Sequence, residues 1–318
     1  MELSPRDAQA IEAARLHYQR GLSQTDVARQ LSLSRPTVSK LIQHAKDRGF
    51  VSIEIHDPRA VSSDVGRELC VRFGLAQARV VATADTEDEL LHELGGMGAQ
   101  VLEENVADGD LVGITWGRTM RALAQALTPQ PRTGVHMVQL KGGSSLASPV
   151  AGHHETVRLL CAAFDAYPHT LPLPVLFDSP EVKRLVEQDR HLKYVLDLGR
   201  SARTAVFTVG PAGRDAPLIT RDYLTVEERE AVAELAVGDL CSHFITADGR
   251  PAVPTLDART VALPLEALRE KELRLCVAGG APKVPALRAA LRSGYVSHLV
   301  TDERTARAVL AEPRGTTP

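Results

Sequence analysis

Six short apolar runs constrain the fold of this chain more than any other feature. ARVVAT, DLVGIT, VHMVQL, AVFTV, LRLCVAG and VSHLVT follow one another from residue 78 onward, separated by helical patterns. Each is apolar on both faces. A strand of that kind has to be covered on both sides, and the amphipathic helices between the runs supply the cover. The predicted fold is therefore α/β, with a large parallel sheet. Four of the turns carry glycine: Thr115-Trp116-Gly117, Lys141-Gly142-Gly143, Val209-Gly210 and Ala278-Gly279-Gly280.

The first 56 residues have a different texture. Ala10, Ala13, Ala14, Leu16 and Tyr18 mark a helix that stops at Gly21, a C-terminal breaker. Ser23 can cap a second helix, QTDVARQL. After the turn Ser32-Leu33-Ser34 comes a third helix, RPTVSKLIQHAKDRG, and then FVSIEIH, which alternates as a strand or wing would. Asp57-Pro58-Arg59 reads as a boundary, giving domains of 1–56 and 57–318. Val61, Val65, Leu69 and Phe73 then form one stripe of a linking helix.

From Gln24 to Ile42 the spacing is that of a helix-turn-helix. Val27, Ala28 and Leu31 face inward on its first helix, Leu33 plugs the turn, and Val38, Leu41 and Ile42 form the buried face of its second. Arg35, Thr37, Ser39, Lys40 and Gln43 are left pointing outward, where short polar and basic side chains can enter a major groove. Ser34 can cap this helix and Pro36 is tolerated in its first turn. Gln24 and Thr25 are placed for phosphate contacts. Operator DNA is the predicted partner. A small helical oligomerisation module with a solvated face is the competing reading. Position 32 is commonly glycine in this motif, and the serine here must accept whatever strain the turn imposes.

Charge agrees with that division. Residues 1–56 hold eight Lys/Arg against six Asp/Glu, and the rest of the chain holds 29 against 34. A mildly basic head on an acidic body is compatible with DNA contact through the head. No apolar run approaches the roughly 18 residues of a membrane span, and the N-terminus lacks a signal-peptide core. Cys70, Cys161, Cys241 and Cys276 lie far apart with no CxxC pair, which predicts neither a zinc site nor a disulfide framework and suits a reducing cytoplasm. No cofactor or metal is expected.

Nearly the whole chain resembles the SorC/DeoR-type sugar-binding regulators. The resemblance is carried by SQTDVARQLSLSRPTVSKLI, GITWGRT, VQLKGG, YLTVEEREAVAELAVGDLC, CVAGGAPKVPALRAALRSG and HLVTDERTARAVL. It implies a large domain similar in fold to phosphosugar isomerases and glucosamine-phosphate deaminases, with ligand at the carboxyl ends of the strands. It also implies a phosphorylated sugar as effector, and a dimer or tetramer. Lysine at position 141, in QLKGG where many relatives have QLNGG, looks like the deoxyribonucleoside regulator branch.

The loops carry compatible chemistry. A phosphate needs exposed backbone N–H groups and the positive end of a helix. Gly113, Thr115, Gly117, Arg118 and Thr119 form one strand–turn–helix with hydroxyl and guanidinium donors; Gly279, Gly280 and Lys283 form a second. Plain βα-turn geometry explains either loop as well. Gly142 and Gly143 follow Lys141. Arg259 is a further phosphate candidate or else a surface ion pair. Asp239 either holds a sugar hydroxyl or caps a helix. His153 and His154 have no nucleophile or metal partner in the pattern and read as solvated. Trp116, the only tryptophan, is placed to pack beneath the sugar loop.

For Lys141 three roles stay open. A lysine at the end of a buried strand loses basicity by desolvation, and its neutral amine can form a Schiff base with an aldehyde sugar. Open-chain deoxyribose 5-phosphate has such an aldehyde. Simple phosphate pairing and a solvated lysine are the other two. An isomerase, deaminase or aldolase carrying a DNA-binding head is the alternative function. It lacks a convincing carboxylate–histidine pair beside the glycine loops.

Overall fold

A computed structural model describes residues 4–51, 64–143, 153–212 and 224–311. The chain divides into two compact units, Met1–Pro58 and Arg59–Pro318.

The first unit is built on three capped helices. Helix α1, Pro5–Ala14, starts at a reciprocal cap: the Ser4 hydroxyl accepts the Asp7 N–H, and the Asp7 carboxylate accepts the Ser4 N–H. It runs on through a π-helical turn, Arg15–Gln19, to Gly21, whose φ is +67°. Helix α2, Gln24–Leu31, is capped by Ser23, and helix α3, Arg35–Asp47, by Ser34. Between them Ser32 has φ 56° and ψ 40°, so the serine does take the left-handed conformation. Ala10, Ala13, Val27, Ala28, Val38, Leu41, Ile42 and Ala45 form the shared core. Asp7 is buried and accepts a hydrogen bond from His44 Nε2 at 2.8 Å, with Arg48 at 3.5 Å, pinning α1 to α3. Beyond Val51, the predicted wing strand lies outside the described residues, as do Asp57–Arg59 and Val61.

The second unit opens with α4, Asp64–Phe73, followed by β1, Gln77–Val81, and α5, Glu87–Asn105. Next come β2, Leu111–Ile114; α6, Arg118–Ala126; β3, His136–Gln139; α7, His153–Phe164; and β4, Tyr167–His169. Helices α8, Pro180–Glu187, and α9, Arg190–Ser201, lead into β5, Thr204–Phe207, and β6, Val209–Gly210. Helix α10, Val226–Leu235, precedes β7, Gly238–Leu240, and β8, His243–Ile245. After α11, Pro254–Asp257, and α12, Leu265–Arg269, the chain ends in β9, Leu273–Val277; α13, Val284–Arg292; β10, His298–Asp302; and α14, Glu303–Leu310.

Seven strands form one sheet in the order β1-β10-β9-β5-β2-β3-β4, and every neighbouring pair is parallel. All six predicted runs are strands of it. Alternation along β5 shows why both faces had to be apolar: Ala205 and Phe207 join one core cluster and Val206 the other. Strand β4 and a three-stranded antiparallel ribbon, β6-β7-β8, were not predicted. They are only two or three residues long, too short to show a period.

The sheet order fixes where a ligand can sit. The chain leaves β2 for β3 on one side of β5, and leaves β9 for β10 on the other. The crevice above the carboxyl ends of β2, β5 and β9 is therefore the topological switch point of the sheet.

Candidate functional site

Lys283 occupies this switch point. A short 3-10 turn, Ala281–Lys283, follows β9, and the Lys283 ammonium donates to Thr119 Oγ1 at 2.9 Å and to Thr208 Oγ1 at 3.1 Å. One side chain thus ties together the ends of three central strands. Burial depresses its basicity, with Cys276 and Asp239 pulling the other way. Thr208 was missed in the sequence; its only signal was a hydroxyl just past an apolar strand.

Helix α6 begins at the same place. Its N-cap is Gly117, with φ 146°, a conformation that disfavours any other residue, and no side chain caps it. The first-turn N–H groups are the positive end of a helix dipole next to a lysine. Arg118 is exposed at the rim and pairs with Glu87 at 2.7 Å.

Lys141 lies two residues beyond Gln139, the last residue of β3, and is 7% exposed. Its backbone pairs with Ala262, and its Nζ sits 4.1 Å from the centre of the Trp116 ring. Trp116 is itself held by a hydrogen bond from Nε1 to the Gly142 carbonyl at 3.1 Å. The charges of Lys141 and Lys283 both act on Asp239, whose carboxyl burial raises above the usual range.

Other predicted residues are committed elsewhere. Gly113 lies inside β2, and a Cβ there would meet Leu140 at 2.6 Å. Thr115 turns its N–H and its hydroxyl toward the Val206 carbonyl. The N–H groups of Gly142 and Gly143 go to Val261 and Leu173 carbonyls at 2.9 and 3.0 Å. Gly279 packs against Asp302, and the Gly280 N–H goes to Asp302 Oδ2 and Thr305 Oγ1. Gly113, Gly142 and Gly279 serve close packing and the N–H groups of Gly142, Gly143 and Gly280 are already bonded, whereas the N-terminus of α6 has no side-chain cap.

Two expectations are corrected. Asp239 caps no helix: it lies in β7 and accepts the Ser242 N–H at 3.0 Å, closing the β7–β8 turn. Arg259 is not a surface ion pair. It is 8% exposed, binds both oxygens of Glu228 at 2.6 and 2.7 Å, and donates to the Phe177 carbonyl at 2.7 Å. Its charge is already matched by a carboxylate.

On the first unit, Thr25, Arg35, Thr37, Ser39, Lys40 and Gln43 are exposed and Gln24 is half-buried. Gln43 Nε2 donates to Asp47 Oδ1 at 2.8 Å. The Ser34 hydroxyl is spent on capping, accepting the Thr37 N–H at 3.2 Å. Among the described residues no helix is long and apolar enough to cross a membrane, and no cluster of His, Cys, Asp and Glu could hold a metal ion.

Comparison with known proteins adds a context. Residues 58–311 match the sugar-binding domain family, and residues 4–52 match the homeodomain-like domain family. The deoxyribonucleoside regulator of Bacillus subtilis is 42% identical over 302 residues, covering 95% of this chain and 96% of its own. The erythritol catabolism regulatory protein EryD of Brucella abortus is 29% identical over 312 residues, covering 97% and 98%. Among solved structures, the full-length sorbitol operon regulator SorC from Klebsiella pneumoniae is similar with a TM-score of 0.78 at 26% identity. That match covers 96% of this chain and 99% of the other.

Proposed function

The chain belongs to the SorC-type family of sugar-binding transcriptional regulators, and on that premise we propose that it is a repressor released from its operator by deoxyribose 5-phosphate. The observation that carries this reading is the pair of lysines beside the switch point, Lys283 on the hydroxyls of Thr119 and Thr208 and the buried Lys141 over the Trp116 ring. Lys283, Thr119 and the α6 N-terminus take the phosphate. Lys141, over Trp116, takes the other end of the sugar. Once deprotonated, its amine can add to an aldehyde. A 2-deoxy sugar suits a site with an apolar indole where a hydroxyl would otherwise need a partner. The relative named for deoxyribonucleosides supports the same sugar.

On the DNA side, Arg35, Thr37, Ser39, Lys40 and Gln43 meet base edges, while Gln24 and Thr25 touch phosphates. Ser34 orients the recognition helix through its cap. A homodimer or a dimer of dimers presents two such helices about 34–36 Å apart, matching successive major grooves. The effector binds the DNA-competent and DNA-incompetent arrangements unequally and so shifts their populations.

The test is to incubate the full chain with deoxyribose 5-phosphate, reduce with borohydride and weigh the intact protein. The proposal expects one adduct, absent from Lys141→Arg, which keeps the charge but forms no imine. No adduct on the parent chain, or an adduct that persists in Lys141→Arg, overturns the covalent reading.

A further inference from the structure

His243 is buried in β8, and both nitrogens of its ring meet oxygen acceptors. Nδ1 lies 2.5 Å from Asp257 Oδ1, and Nε2 lies 3.0 Å from the Leu263 carbonyl oxygen. A carbonyl oxygen only accepts, so Nε2 carries a hydrogen. An ionised carboxylate only accepts as well, so Nδ1 carries a second. A ring with hydrogen on both nitrogens is an imidazolium. The neutral ring has a single N–H and would turn a lone pair toward one of the two oxygens. These contacts call for the charged form. The charged groups around it are Asp257 of α11 and, on the neighbouring β7, Asp239, on which Lys141 and Lys283 also act.

The two oxygens belong to the ends of one loop. Asp257 is the last residue of α11, and Leu263 ends a segment, 261–263, that lies along the residues after β3. That segment carries Lys141. The Leu263 N–H donates to the Leu140 carbonyl at 2.6 Å, and the Gly142 N–H donates to the Val261 carbonyl at 2.9 Å. Between them the backbone of Lys141 bridges to Ala262. Leu263 therefore takes a hydrogen bond from His243 on its carbonyl and gives its own N–H to the residue before Lys141. Hydrogen bonds run without a gap from Asp257, through the ring, to the backbone that supports Lys141.

We propose that His243 is the positioning residue of Lys141: as an imidazolium it fastens the 257–263 loop, and through Leu263 it holds the backbone from which Lys141 reaches the sugar. This rests on the reading that Lys141 meets the sugar. When the ring gives up a proton, either Asp257 or the Leu263 carbonyl loses its donor. The loop then loosens beneath Lys141 and effector affinity falls. Affinity therefore decreases as pH rises through the titration of the ring, and by reciprocity bound effector holds the proton on it.

The experiment measures affinity of the full chain for deoxyribose 5-phosphate by Trp116 fluorescence. It spans about pH 5 to 8, where histidine charge changes, and compares the parent with His243→Gln and Asp257→Asn. Glutamine donates from one end only. Its affinity should be about 3- to 30-fold below the parent's at the acid end, the size of coupling carried through residues that touch no ligand. Asparagine at 257 donates to Nδ1 of a neutral ring that still donates from Nε2, so it restores both contacts without the charge. Its affinity relative to the parent should rise with pH, and that ratio cancels the titration of Lys283 and of the phosphate. A merely structural role gives both variants a loss that pH does not change. Nitrogen NMR of the parent's histidine rings needs neither variant to fold, and should show His243 with two protonated nitrogens at the acid end. A singly protonated His243 there, or His243→Gln binding within twofold of the parent, overturns the role of His243. If Lys141→Met binds the sugar phosphate as tightly as the parent, the reading of Lys141 falls and the proposal falls with it.

Discussion

Replacing Lys283 by methionine should separate stability from effector response. In the free protein the ammonium sits on two neutral hydroxyls, Thr119 and Thr208, and among the described residues forms no ion pair. Burial holds its basicity below the lysine value of 10.5, so the unfolded chain binds the extra proton more tightly. The sign follows: with more protons bound when unfolded, stability rises with pH through the alkaline range below 10.5, and the charge is a cost at neutral pH. Methionine keeps the stem and removes that cost, so the melting temperature at pH 7 should stay the same or rise. A phosphate, by contrast, loses one charge-assisted hydrogen bond of about 1.5–3 kcal/mol, or about 10- to 150-fold in affinity. Effector affinity is read from Trp116 fluorescence, since this lone tryptophan lies under Lys141. Melts at pH 7 and 9 read the linkage, whose slope should be shallower in the variant. Effector binding within threefold of the parent, or a melting temperature clearly lowered, would refute this account of Lys283.

Three further outcomes follow from named contacts. Gly142→Ala places a Cβ 2.3 Å from the Pro174 carbonyl oxygen, and should cost about 1–3 kcal/mol of stability in a denaturant melt. Ser32→Gly relieves the left-handed turn before the recognition helix and should stabilise the head by about 1 kcal/mol, with operator affinity at least retained. Asp7, with the Ser4 hydroxyl and His44 holding its carboxyl down to about 2 from 3.8, stabilises the head above pH 4 and loses that contribution as pH falls toward 2. An acid titration by circular dichroism should show this loss in the parent and not in Asp7→Asn.

The parts legible in the sequence are those whose signal is local and repeated. The helix-turn-helix showed through its caps and the spacing of Val27, Ala28, Val38, Leu41 and Ile42, all of which are buried. The six long strands showed through continuous apolar runs. Less was legible where geometry depends on a distant partner. Arg259 meets Glu228 thirty-one positions away, and nothing near either residue announces it. Asp239 read as a helix cap because its turn uses Cys241 and Ser242 at positive φ, without the Asn-Gly or Gly that usually marks such a hairpin. Glycine turns advertise exposed N–H groups, yet those of Gly142, Gly143 and Gly280 are used by neighbouring segments. Only folding shows which loops spend their donors; among the described residues the helix that starts at Gly117 has no side-chain cap.

The central claim is that a sugar phosphate in the crevice of the second unit controls DNA binding by the first. The most direct measurement is operator affinity of the full chain, by fluorescence anisotropy at fixed salt, with and without saturating deoxyribose 5-phosphate. A coupling of about 1–3 kcal/mol is typical of such linkage, so operator affinity should weaken about 5- to 150-fold, and Lys283→Met should blunt the effect. Operator affinity unchanged by the effector, while the effector demonstrably occupies the Lys141 and Lys283 crevice, would contradict the account.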